Sequence, residues 1–295
     1  MKILPPEENK FETVMVDITH RCNMHCANCY LPNRHIPDMD IDRLEDCIAR
    51  FPKRTNIRLV GAEPTMRSDL PEIISRIKKL GHRVVLLTNG LRLSHESYVK
   101  ELRDAGLRHV YVSLNGADND DWYERIDNLR CAEKKLKAVD NILSSRMVLN
   151  TGTILLRNVN EGAVKRVIDI VQAYEPRHAL LRFKNVGALG RYDREAERKN
   201  LSMEEIQSLV ANVIGCDPQL LSSYTLFKGN HEKNTRLFPV DLTSKTGKGL
   251  WIKIADWKVD SDGFIDREST RRGRITSDFL LAPFFDDLRY GDDGF

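Results

Sequence analysis

The chain reads as an α/β fold on a parallel sheet, and three observations predict it. Short β-branched or apolar runs alternate with amphipathic helical stretches six times between Phe11 and Val186, the rhythm of parallel strands joined by right-handed crossovers. The chemically distinctive residues all fall just after those runs, at strand C-terminal ends, where parallel α/β folds build their sites. The composition is that of a globular protein, 41% hydrophobic and 30% charged over 295 residues, long enough for one large domain or a domain with a smaller appendage. By this pattern the sheet is either a curled partial barrel or an open doubly wound one.

The first strand, Phe11 to Ile18, delivers a loop holding Cys22, Cys26 and Cys29 in C-x3-C-x2-C spacing. Three thiolates can grip one corner of an iron–sulfur cubane and leave one iron open to a small ligand, because such clusters usually take four. A zinc knot completed by His20 or His25 is the alternative, although zinc loops favour a second ligand pair further along. Asp40 then caps a helix to about Arg50, with Ile41, Leu44 and Ile48 at helical spacing. Cys47 beside that stripe reads as a small buried hydrophobe.

Ile57 to Val60 is the second strand and runs into Gly61-Ala62-Glu63-Pro64. A helix with Pro71 in its first turn ends before Gly81, and Arg83 to Leu87 forms the third strand, closing on Thr88-Asn89-Gly90. A helix over 94–105 precedes the fourth strand, His109 to Leu114, which closes on Asn115-Gly116. Residues 117–131 are polar and read as a loop with a short turn before a helix from Ala132 to Ser144. Met147 to Leu156, Glu161 to Tyr174 and His178 to Val186 supply strand, helix and strand.

From Gly190 the rhythm changes. Arg191 to Asn200 is a charged linker, and Ser202-Met203-Glu204-Glu205 is a capping box that opens a helix to about Ile214. Leu250 to Val259 reads as a strand that pairs, through a turn at Asp260 to Gly263, with a short strand near Phe264.

A formal charge of +3 does not point to nucleic acid or a membrane surface. No apolar run approaches the ~20 residues of a membrane span, and the polar start, Met1 to Lys10, does not read as a signal peptide. Cys47, Cys131 and Cys216 stand singly, which suits a reducing compartment and argues against a disulfide framework. The expected address is the cytoplasm. Cys131 reads as an inert thiol, and no second cluster is expected.

Four strand-end motifs in order, Cys22/Cys26/Cys29, Gly61-Ala62-Glu63-Pro64, Thr88-Asn89-Gly90 and Ser113-Leu114-Asn115-Gly116, give the sequence its resemblance to the radical S-adenosylmethionine (SAM) enzymes over about residues 11–190. The resemblance implies a partial (β/α)6, TIM-like barrel of parallel strands over 1–190, with an α+β extension over 191–295. It implies a [4Fe–4S] cluster on Cys22, Cys26 and Cys29, whose open iron is chelated by the amino and carboxylate groups of SAM. One electron then yields methionine and a 5′-deoxyadenosyl radical that takes hydrogen from the substrate. Gly61, Ala62 and Glu63 would meet the methionyl amino group, mainly through backbone carbonyls; Ala62 stands where a second glycine is usual. Asn28 stands where an aromatic residue is usual and would meet adenine through its backbone. Asn89, Ser113 and Asn115 are candidates for the ribose and methionyl carboxylate, and Gly187 for adenine. A reductant such as flavodoxin or ferredoxin is the implied partner.

With the core motifs committed to cluster and cofactor, residues 191–295 are expected to close the barrel and shape the substrate site. Trp251, Trp257, Phe284 and Phe285 are candidate walls; Arg271, Arg272 and Arg274 are candidate phosphate or carboxylate ligands, against the reading of a solvated basic turn. Arg182 on the sixth strand either reaches an anionic group or forms a surface ion pair. The expected substrate is a small anion, including the nucleotide-like. The alternatives are a radical SAM enzyme acting on a peptide or macromolecule, and a non-catalytic zinc-binding module.

Overall fold

Strand β1 (Thr13–Thr19) alternates residues that face helices, Val14, Val16 and Ile18, with residues that face the other way, Met15, Asp17 and Thr19. That parity recurs in every parallel strand and decides the architecture: one face of the sheet is coated by helices, and the other lines a lumen. The computed structural model describes residues 3–27, 29, 35–185, 199–223, 235–241, 249–255 and 271–283.

Strands β2 (Asn56–Gly61), β3 (Arg83–Thr88), β4 (His109–Ser113), β5 (Val148–Ile154) and β6 (His178–Lys184) follow β1 in sequence order, each parallel to the last. Helices α1 (Ile41–Ala49), α2 (Leu70–Lys79), α3 (Glu96–Asp104), α5 (Ala132–Ser144) and α6 (Ala163–Gln172) make the crossovers. Their apolar stripes, such as Ile73, Ile74 and Ile77 of α2 and Val164, Val167, Ile168 and Val171 of α6, bury against Ile57, Leu59, Leu86, Leu149 and Leu181. Asp40 caps α1 by accepting a hydrogen bond from the Arg43 amide at 2.8 Å. Cys47 is fully buried beside Leu44 and Ile48.

The predicted loop over 117–131 contains a helix, α4 (Asp120–Asp127). Asn119 caps it by accepting from the Asp121 and Trp122 amides at 2.9 and 3.1 Å, and Tyr123 and Ile126, three apart, anchor its buried face.

The C-terminal segment extends the same sheet at both edges. The capping-box helix α7 (Met203–Ile214) forms as predicted, with Ser202 and Glu205 bonded reciprocally, and a short helix α8 (Pro218–Ser223) follows. Strand β8 (Gly249–Ala255) is parallel to β6, and β7 (Thr235–Pro239) is antiparallel to β8. Thus the described partners of the predicted strand at Leu250 are β6 and β7; the expected hairpin strand near Phe264 lies outside the described residues. Strand β9 (Arg272–Ile275) is parallel to β1, and β10 (Leu281–Pro283) is antiparallel to β9. The order is β10-β9-β1-β2-β3-β4-β5-β6-β8-β7, an open curled sheet with β10 and β7 at its edges. Trp257, Phe284 and Phe285 also lie outside the described residues.

Candidate active site

The cysteine loop leaves the C-terminal end of β1 and is held from two sides. From below, the turn after β2 runs beside it: the Ala62 amide donates to the Thr19 carbonyl and the Glu63 amide to the Arg21 carbonyl, both at 2.9 Å. This approach requires glycine at 61, because its φ is +125° and a Cβ would strike the Thr19 carbonyl oxygen. From above, α4 grips the loop. The Ala27 amide donates to the Ile126 carbonyl at 3.1 Å, and Asn128 donates to the His25 carbonyl at 2.7 Å.

All six cysteines are outside disulfides, and Cys22, Cys26 and Cys29 are partly exposed at the mouth of the lumen. The Met24 amide donates to the Cys22 sulfur at 3.4 Å, and the Cys29 amide to the Cys26 carbonyl at 3.2 Å. Burial pushes the Cys26 thiol well up, and the neighbouring Asp127 carboxylate adds to that, while Lys135 opposes it. Among the described residues no three His, Cys, Asp or Glu side chains converge on a single-ion site.

Glu63 ties the β2 turn to the β3 turn. Fully buried, its carboxylate accepts from the Thr65 amide (3.1 Å) and hydroxyl (2.5 Å), the Thr88 hydroxyl (2.6 Å) and the Asn89 amide (2.6 Å). Asn89 in turn donates to Asn23 of the cysteine loop at 2.7 Å and accepts from the Leu91 amide at 2.9 Å. Asn115 donates to Asp127 at 2.8 Å and accepts from the Ile154 amide at 3.0 Å, so its side chain joins β4, β5 and α4. Ser113 lies on the lumen face of β4, two residues beyond Tyr111. Asn28 and Gly187 lie outside the described residues.

Two residues absent from the sequence-based reading complete this ring. Lys135 of α5, fully buried, donates to the Asn89 carbonyl at 2.5 Å and the Ser113 carbonyl at 2.9 Å, joining the β3 and β4 turns. Asp127 is buried beside Cys26; burial raises its pKa, and Lys135 and Asn115 pull it back. The signal for Lys135 was present, since it occupies the i+3 place in the stripe Ala132, Lys135, Val139, Ile142.

Deeper in the lumen the inner-face positions carry cations. Arg182 lies with its guanidinium carbon 5.0 Å from the Tyr111 ring centroid, a cation–π contact. A Cβ at position 152 would strike that ring, so Gly152 makes its room. Arg58, Lys184, Lys253 and Arg272 share this face by strand parity. The three candidate arginines of β9 and its approach separate: Arg271 is exposed and paired with Glu12 at 2.7 Å, Arg272 faces the lumen, and Arg274 is buried in an ion pair with Asp17.

A family model described as the Radical SAM superfamily matches residues 16–171, more than half of the chain. The chain belongs to that superfamily. Radical SAM proteins use a [4Fe–4S] cluster with SAM, and the donor set fits: three thiols outside disulfides, on one braced loop at the lumen mouth. Similar proteins include a 7,8-dihydro-6-hydroxymethylpterin dimethyltransferase of Methanocaldococcus jannaschii, 33% identical over 52% of this chain and 32% of that protein. A GTP 3′,8-cyclase of Acidothermus cellulolyticus is 30% identical over 52% of this chain and 45% of its own length. The chain therefore spans less than half of these two radical SAM relatives. In fold it is similar to Streptococcus suis SuiB, solved bound to S-adenosylmethionine, with a TM-score of 0.62 at 12% identity over 92% of this chain and 60% of that one. Membership in this superfamily does not favour the zinc-module alternative.

Proposed function

We propose that the chain is a radical SAM enzyme acting on a small anionic substrate held in the lumen. Cys22, Cys26 and Cys29 hold the cluster, and SAM lies against the turns that carry Gly61, Ala62, Glu63, Asn89, Ser113 and Asn115, with Asn28 and Gly187 as adenine contacts. When bound and charged by the external reductant, the cluster would pass one electron to SAM, the chemistry that yields methionine and a hydrogen-abstracting 5′-deoxyadenosyl radical. The chain's own contribution is position. Glu63, Lys135 and Asn115 fix the strand-end turns relative to one another, and α4 fixes the cysteine loop relative to those turns.

The observation that carries the substrate reading is Arg182, a cation on the inner face of β6 whose pairing row runs through Gly152 to Ser113 at the site. A floor of positive charge supports an anionic metabolite over a peptide, whose backbone is neutral. A flavodoxin or ferredoxin is the proposed electron donor, and the cytoplasm, with six cysteines outside disulfides, the proposed compartment. Among the described residues no helix is long and apolar enough to cross a membrane.

The test is anaerobic reconstitution with iron and sulfide, reduction, and assay of 5′-deoxyadenosine from SAM. The native chain is expected to form it and Cys26→Ala to form none. Stoichiometric zinc in the purified protein, with no cluster and no product, would remove the enzyme reading.

A further inference from the structure

We propose that Lys135 sets the reduction potential of the cluster, its buried ammonium favouring the reduced state from which an electron passes to SAM. This rests on the reading of Cys22, Cys26 and Cys29 as cluster ligands and assigns that site a residue outside the ligand set.

Lys135 is fully buried on α5, in the stripe with Ala132, Val139 and Ile142. Its Nζ donates to the Asn89 carbonyl at 2.5 Å and the Ser113 carbonyl at 2.9 Å, so it is fixed to the turns after β3 and β4 at once. Asn89 reaches on to the cysteine loop through its bond to Asn23 at 2.7 Å. The same Nζ lies 5.4 Å from the centroid of the Tyr123 ring on α4. That helix holds the loop next to Cys26, where its Ile126 carbonyl accepts from the Ala27 amide. The ammonium therefore stands where α4, α5 and the cysteine loop converge. Its field reaches the Cys26 sulfur: burial pushes that thiol up most, the Asp127 carboxylate adds to it, and Lys135 opposes both.

Hydrogen bonding alone does not call for a lysine at this place. A glutamine amide carries two N–H donors, enough for two carbonyls, and buries no charge. An ammonium held out of water is much the more costly choice. What the lysine adds is a positive charge beside a ligand sulfur, held in one position by two carbonyls and a ring face.

Reduction by one electron adds one negative charge to a cluster, and cluster potentials follow the charge, hydrogen bonding and solvent exposure around the sulfurs. A buried cation attracts the added charge with little screening and so raises the potential. Asp127, buried beside Cys26 and bonded to Asn115 at 2.8 Å, works in the opposite sense. Loss of the ammonium removes the attraction and leaves the acid unopposed by it.

The test is a redox titration followed by electron paramagnetic resonance, on the full chain reconstituted anaerobically with iron and sulfide and without SAM. Lys135→Gln keeps two donors and drops the charge. It should shift the equilibrium against the reduced cluster at least about tenfold, about 59 mV for one electron. Lys135→Met should shift it the same way and is the second variant should the glutamine not fold. Lys135→Arg keeps the charge and should stay within about threefold of native. Lys134→Met, at an exposed neighbour on the same helix, should leave the midpoint unchanged, because water screens that charge. A native or higher midpoint in the glutamine or methionine variant overturns the proposal, since a lysine that only ties the turns together would leave the potential where it is. Failure of the cluster reading looks different: the native chain itself then gives no reduced-cluster signal, and the proposal falls with it.

Discussion

Replacing Glu63 by alanine isolates the ring of strand-end turns from any question of ligand. Its carboxylate accepts from four donors, two of them hydroxyls that can rotate to other partners and two of them fixed backbone amides, Thr65 and Asn89. An orphaned buried donor costs about 1–3 kcal/mol, so the two amides set the loss at roughly 4 kcal/mol, before any cavity term. Glu63→Gln keeps one acceptor oxygen but turns an NH2 toward a donor, and should cost about half as much. Urea denaturation of the cluster-free chain reads both values, and a slope unchanged from the native chain certifies that the comparison is one of stability. Glu63→Ala within about 1 kcal/mol of native would refute the reasoning, because the amides would then have found water or another acceptor and the carboxylate would not be the tie.

Lys135→Met leaves the Asn89 and Ser113 carbonyls without their donor and Asp127 buried without its nearest cation; a loss of about 3–5 kcal/mol is expected, with part recovered by Asp127→Asn in the same chain, as urea melts would show. Gly152→Ala should lower the melting temperature through collision with Tyr111, and Tyr111→Val should restore it in the double variant, since the clash is with that ring; additive losses would contradict it. Burial, with repulsion from Arg182 second, lowers Lys184 and Lys253 to about 7, against roughly 10.4 unfolded. The unfolded chain therefore binds more protons between about pH 7 and 10, so stability against urea should rise with pH through that window.

The fold and the cysteine loop were legible because they follow from local pattern. Six runs of strand-forming residues, each closed by a turn, leave little choice of class, and the caps at Asp40 and Ser202 mark helix starts by chemistry confined to four residues. The lumen was not legible, because a strand covered on one face alternates in the same way whether its other face meets bulk water or a cavity. Thus Arg58 and Lys253, in Ile-Arg-Leu and Ile-Lys-Ile, read as ordinary exposed positions, and only curvature, a property of the assembled sheet, turns them inward. The same holds for Arg271 and Arg274, three residues apart, one at the surface and one buried on Asp17. Residues 117–131 were misread for a different reason: their helix depends on Asn119 and the burial of Tyr123 against the fold rather than on a continuous apolar stripe.

The pairing of β1 with β9 also sets an order of events at the ribosome. Glu12 and Arg271, which meet where these strands begin, are 259 positions apart. The strand that delivers the cysteine loop therefore keeps one bare edge while the intervening residues are made, on the order of 10–50 s at ordinary elongation rates. During that interval β1 can dock only on β2, and its other edge is open to unintended strands. Arg272, which faces the lumen from β9, arrives only with that strand, so the loop is braced by β2 and α4 before this wall of the lumen is complete.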